Sequence, residues 1–194
     1  MTARLVIASL ILFLGFSSIN AQETKEAKAS VEKSMYGLQI GFLGVWGYNE
    51  MRLDDKFALR TEIGFDGGFS AGGYDSDFIW AFAPGIKVEP RWYYNLDRRK
   101  ENNRRIAKNS GNFFAVSTNY HPDWFVISPR DEVAARESLF TSVKWGIRRN
   151  IWGHLSYELG LGAGYYIDFT KQYGYDHNST GFSPDIHFRI GYTF

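Results

Sequence analysis

The sequence predicts an all-β protein, an antiparallel up-and-down barrel of about eight strands, and three observations carry that expectation. Apolar and polar residues alternate with period two over one segment after another, which puts opposite rows on opposite faces of a strand. The polar rows hold many glycines, Gly37, Gly41, Gly64, Gly146, Gly160, Gly162, Gly164 and Gly191. Glycine weakens a solvated strand, but small residues suit a narrow, crowded interior. The apolar rows hold Tyr36, Trp92, Tyr94, Tyr157, Tyr165 and Tyr192 near segment ends. Amphipathic rings at strand ends match the girdles of a barrel that faces lipid outside and encloses a polar, filled lumen.

The chain opens with Arg4, an uncharged run from Leu5 to Phe16, and small or polar residues up to Ala21. That order of charge, short apolar run and small boundary residue predicts a signal peptide over 1–21, cleaved near Ala21. The apolar run is too short to cross about 30 Å of hydrocarbon as a helix, which needs about 20 residues. Removing 1–21 takes away Arg4 alone of the charged residues and leaves 21 basic against 21 acidic residues. Such a balance excludes a general nucleic-acid binder. Cysteine is absent, so an exported chain of this kind is held without disulfides. Residues 22–34, rich in Lys, Glu and Ala, read as a flexible lead-in, and 35–194 as one barrel domain.

Strands are expected in the following order. Tyr36, Leu38, Ile40 and Phe42 alternate with Gly37, Gln39 and Gly41. Phe57 to Phe65 alternates with Ala58 to Asp66. The long run from Phe78 to Leu96 sets Phe82, Pro84, Ile86, Val88, Pro90, Trp92 and Tyr94 against Lys87, Glu89, Arg91, Tyr93 and Asn95. Asn112 to Tyr120 is a weaker segment. Leu139 to Ile147 opposes Phe140 to Arg148, and Leu155 to Ile167 opposes Ser156 to Tyr166. The last strand alternates Ile186, Phe188, Ile190, Tyr192 and Phe194 with His187, Arg189, Gly191 and Thr193. These are seven, whereas single-chain bacterial barrels have an even number. The eighth is expected within 24–35, within Asp123 to Ser128, or by division of the run from Phe78 to Leu96. Asn49 to Lys56 and Asn150 to Gly153 read as short turns. Gly67 to Asp77, His121 to Glu137 and Asp168 to Ser183 read as the longer loops of the opposite end.

The closing strand, with Ile190, Tyr192 and a final Phe194, resembles the assembly signal of bacterial outer-membrane barrels. The whole chain after Ala21 resembles the small outer-membrane barrels of the OmpA and OmpX type. More closely, the Asn20-Ala21-Gln22 signal end, Glu89-Pro-Arg-Trp-Tyr-Tyr-Asn-Leu96, Trp145-Gly-Ile-Arg-Arg149 and Arg189-Ile-Gly-Tyr-Thr-Phe194 resemble the outer-membrane β-barrel proteins of Bacteroidetes. The resemblance implies a Gram-negative outer membrane as location, and as partners its lipid and the barrel-assembly machinery. It implies no particular function.

The inward rows gather Arg60, Glu62, Lys87, Glu89, Arg91, Lys144, Arg148, Glu158 and Arg189, with Asp66 beside them. Eight strands leave an interior just wide enough for side chains. A lumen salt-bridge network is therefore expected, because an uncompensated buried charge is very costly. That favours a structural or adhesive barrel whose loops, above all Asp168 to Ser183, carry any recognition. A porin-like narrow channel or small-solute binder is the alternative. A lipid A-modifying hydrolase through His154, Ser156 and Glu158, with all three on the inward face, is a second alternative. The outer-leaflet lipid lies far from the turn that precedes His154, so no enzyme is expected. The histidines at 121, 154, 177 and 187 show no metal-ligand spacing, and no helix follows Gly160-x-Gly162-x-Gly164, so no metal or cofactor is expected. Arg98, Arg99, Lys100, Arg104, Arg105 and Lys108 form a basic segment that reads either as a solvated turn or as a contact for an acidic periplasmic partner, the cell-wall polymer or inner phosphate groups of the membrane.

Overall fold

The computed structural model of the protein describes residues 28–71, 78–130 and 132–194. The expected signal segment and residues 22–27 of the lead-in lie outside the described residues. Eight strands follow one another: β1 (Ser34–Gly41), β2 (Gly44–Asp54), β3 (Phe57–Ala71), β4 (Phe78–Trp92), β5 (Asn112–His121), β6 (Ser138–Trp152), β7 (Leu155–Asp168) and β8 (Ser179–Thr193). Each pairs antiparallel with the next, and β1 pairs with β8, so the sheet closes into an up-and-down barrel as expected.

The eighth strand is none of the three segments expected to supply it. It is β2, so residues 49–54, expected in a turn, are strand, and only Asp55 and Lys56 connect β2 to β3. Its inward row is Trp46, Tyr48 and Glu50, while its outward row includes Val45, Gly47, Asn49 and Met51. Both rows mix polar and apolar types, which erases the hydropathy alternation. Of the three candidates, residues 28–33 are not strand and 34–35 only begin β1, while Asp123 to Ser128 contributes only an isolated bridge from Ile127 to Phe82. The run from Phe78 stays one strand to Trp92, after which Leu96–Glu101 turns into a short helix, α1, that no sequence period announces. Residues 67–71 and 179–183, expected in loops, extend the ladders of β3 and β8.

The outward row is apolar and the interior polar. Ile40, Ile63 and Ile186 are 64%, 64% and 68% exposed, whereas Arg60, Arg148 and Glu158 are fully buried. Glycine makes room on the inside, where the Phe113 ring lies over Gly146 within 2.3 Å of where a Cβ would stand.

Strand pairing is uneven around the ring. β3 and β4 are in register over fifteen residue pairs and β7 and β8 over fourteen. β1 meets β8 over five pairs, Gly37–Gly41 with Arg189–Thr193. β4 meets β5 over five pairs as well, and the register is interrupted at Glu89 and Pro90. Proline lacks the amide that a ladder needs.

One end of the barrel, where both β1 begins and β8 finishes, is stoppered. Residues 93–111 fold back beneath it through α1 and a single 3-10 turn at Ala107–Asn109. Tyr93, Leu96 and Phe113 bury there against Ala58, Ala115, Ala29 and Val31, the last two from the expected lead-in. Asn109, in a left-handed conformation (φ 57°), donates to Glu50 at 2.6 Å and accepts the Glu32 amide at 2.7 Å. Asparagine tolerates that conformation better than most residues.

Candidate functional site

All nine charged residues expected in the lumen point into it, and the structure joins them. Arg60 meets Glu62 at 2.5 Å, Glu50 at 3.4 Å and Glu158 at 3.7 Å. Arg91 forks onto Glu158 with two bonds of 2.7 and 2.9 Å and also donates to Glu89 at 2.7 Å. Arg148 reaches Glu158 at 3.1 Å, and Lys144 bridges Glu89 (2.9 Å) and Asp185 (3.0 Å). Arg189 holds Glu62 at 2.8 Å, and Lys87 lies 3.5 Å from the same carboxylate. Each of these six cations therefore has a carboxylate within 4 Å, which offsets the large cost of taking charges out of water.

The network includes residues that sequence reasoning missed. Glu50 and Tyr48 sit on β2, the strand hidden from alternation. Asp185 was within reach of the period, two positions before His187 on the inward row. The inward aromatics act as partners for guanidinium groups: Arg60 lies 3.8 Å from the Tyr48 ring centroid, Arg189 3.9 Å from Trp46 and Arg91 4.2 Å from Phe113. Arginine favours such stacking because its planar, weakly hydrated cation fits over a ring face. Tyr93 donates to Glu50 at 2.8 Å and so ties the network to the apolar stopper.

Above the network, toward the end away from the start of β1 and the finish of β8, a cavity of about 580 Å³ opens between Trp46, Lys87, Asn119, His121, Asp185 and His187. Asp66 accepts hydrogen bonds there from the Trp46 indole (2.9 Å) and Asn119 (3.0 Å), with the His121 ring at 2.9 Å. Over this mouth the connections 122–137 and 169–178 interlock. Tyr173 donates to Asp123 at 2.8 Å and accepts the Glu137 amide at 3.0 Å. Gln172 donates to Glu137 at 2.8 Å.

The trio that the hydrolase alternative would need is not assembled. His154 is exposed, contrary to its expected inward position, because it lies in the turn before β7 rather than on the strand. Its Nδ1 lies 2.6 Å from the Thr193 carbonyl, and its ring stacks on Tyr192 at 5.0 Å. Ser156 is buried and Glu158 is occupied by arginines. Ile190, Tyr192 and Phe194, the expected assembly signal, project outward and are exposed, with Phe194 stacked on Tyr36 at 5.4 Å.

Five residues of the basic segment fall into two groups. Lys108 donates to the Phe194 carbonyl at 2.6 Å and Arg105 to Asn150 at 3.0 Å, so these two tie the stopper to the rim. Arg98, Arg99 and Arg104 instead line a polar pocket of about 370 Å³ together with Arg149 of β6. Compared with known proteins, the chain matches no family model, no curated protein and no solved structure.

Proposed function

We propose that this chain is an integral outer-membrane β-barrel of a Gram-negative cell, non-conducting and of structural or surface-recognition type. The observation that carries the reading is the inversion of polarity: a wall of exposed Leu38, Ile40, Ile63, Val143, Leu161 and Ile186 around a core of ion pairs. A protein in water rarely leaves a contiguous apolar patch above a few hundred Å² uncovered. Aromatic clusters at both ends support it. Tyr36, Trp92, Tyr94, Phe114, Tyr192 and Phe194 lie toward the stoppered end, and Trp80, Phe82, Tyr165 and Phe182 toward the other. With the termini in the periplasm, the interlocked connections 122–137 and 169–178 face the exterior and carry recognition. Ile190, Tyr192 and Phe194 address the assembly machinery. Catalysis has no part in this reading, since His154 is exposed in the turn before β7 while Ser156 is buried and Glu158 is engaged by arginines.

Two results test it. Isolated from outer membranes, the protein should migrate faster on a denaturing gel before boiling than after, and planar bilayers containing it should stay silent. A soluble protein without a shift would end the membrane reading, and stepwise currents would replace the sealed lumen by a channel. Removing residues 171–176 should leave the gel shift unchanged, because β7 and β8 remain whole, and should abolish whatever surface adhesion the cells show. Adhesion that survives the deletion would move recognition away from this loop.

A further inference from the structure

We infer that Arg98, Arg99, Arg104 and Arg149 form a binding site for the phosphate group of an anionic phospholipid at the membrane face of the stoppered end. The inference rests on the membrane reading above. Tyr94 and three asparagines complete the pocket, and its lining contains no carboxylate. The lumen makes this conspicuous by contrast, because each of its arginines and lysines has an acidic partner. Here the arginines meet only neutral acceptors. Arg99 donates twice to the Arg105 carbonyl (3.2 and 2.8 Å). Arg149 donates to the carbonyls of Gly111 (2.8 Å) and Arg148 (2.7 Å) and to Asn112 (2.6 Å). Among the described residues none of the four is ion-paired.

Like charges held together repel, and partial burial with Arg104 close by pulls the Arg99 guanidinium below its ordinary pKa. An anion bound among them removes that penalty. Guanidinium groups match phosphate oxygens with paired, charge-assisted hydrogen bonds, and four of them on one pocket suit a group with several acceptors and no donor to satisfy. The position selects the source of the phosphate. Tyr94 accepts the Trp145 indole N–H at 2.9 Å and lies within ring contact of Trp92 (6.0 Å) and Phe114 (5.4 Å). Aromatic clusters of this kind sit at headgroup level in membrane barrels, which is where lipid phosphates are found. Basic pockets at that level attract anionic lipids.

The test uses the folded, full chain in maltoside micelles, titrated separately with dihexanoyl phosphatidylglycerol, dihexanoyl phosphatidylcholine and inorganic phosphate. Phosphatidylglycerol should bind saturably at one site, more tightly than the other two. The double variant R98Q/R104Q should weaken it about tenfold or more, as expected for loss of charged hydrogen bonds. Neither side chain makes a contact that the fold needs, and an unchanged gel shift verifies that the variant is intact. R149K, which keeps charge but loses the planar fork, should weaken binding as well. Absent saturable binding, or binding indifferent to R98Q/R104Q, overturns the site. Inorganic phosphate binding as tightly as the lipid overturns the lipid as its source. A chain that binds phosphate through these arginines yet shows no gel shift would sink the membrane reading instead, so the two failures are separable.

Discussion

Replacing Glu158 with alanine should cost about 3–5 kcal/mol of stability, the range found when one partner of a buried ion pair is removed. Both of its oxygens accept from Arg91, one also accepts from Arg148 at 3.1 Å, and Arg60 stands 3.7 Å away. All four residues are fully buried or nearly so, so the arginines lose a partner in a place removed from solvent. Three guanidinium groups would then share Glu50, Glu62 and Glu89 among them. Glu158→Gln keeps the volume and should still be severe, because the charge rather than the shape is what the arginines require. The midpoint of urea unfolding, with the temperature at which the gel shift is lost, measures both. The half-buried rim pair Lys56–Asp97, open to solvent screening, offers the contrast, since breaking it by Lys56→Ala should cost only about 0–1 kcal/mol. An E158A barrel as stable as the parent would show that the network is solvated and that the lumen is not sealed.

Gly64→Ala should destabilise by about 1–3 kcal/mol through overpacking, although the change adds one methyl group. A Cβ at Gly64 would stand 2.2 Å from the Val45 carbonyl oxygen and 2.7 Å from the Trp46 Cα, both backbone atoms that cannot step aside. Gly68→Ala is the matched control on the same strand, with nothing within 4 Å of the new methyl. It should lie within about 0.5 kcal/mol of the parent, the usual range for surface changes. Equal effects at the two positions would refute the steric account and leave strand propensity as the cause.

How far the sequence could be read depended on which row of each strand was chemically pure. β8 was legible because its outward row, Ile186 to Phe194, is wholly apolar and its inward row holds charged, small or polar residues. β2 was illegible because the lumen there asks for rings. Trp46 and Tyr48 face inward to lie beneath Arg189 and Arg60, so the strand carries aromatics on the side where polarity was the signal. Loop limits failed for a related reason. Gly67, Gly68, Ser179 and Thr180 have loop-like composition, yet their backbones continue the ladders beyond the apolar band. Of the lumen site, all nine expected charges were legible from period two alone. The spacing along a strand fixes the face of a residue but not its neighbour across the barrel, so Glu158 could be placed inside without being seen as the residue three arginines share. His154 failed on the same logic, because one residue of turn before β7 was enough to take it off the face that spacing assigned.

The two thin seams, β1 against β8 and β4 against β5, stand on opposite sides of the ring and divide it into two four-stranded blocks. Within a block every pairing is between neighbours in the chain, so each block can zip from local hairpins, which form quickly. Joining them is a different kind of event. Besides the short ladders at the two seams, ion pairs cross from one block to the other: Arg91 and Arg60 to Glu158, Arg189 to Glu62, Lys144 to Glu89. If one block slid past the other by two residues, faces would be kept but cations and carboxylates would lose their mates in a dry interior. The charge pattern thus works as a lock with one key position, rejecting misassembled rings that apolar contacts, indifferent to register along the wall, would accept.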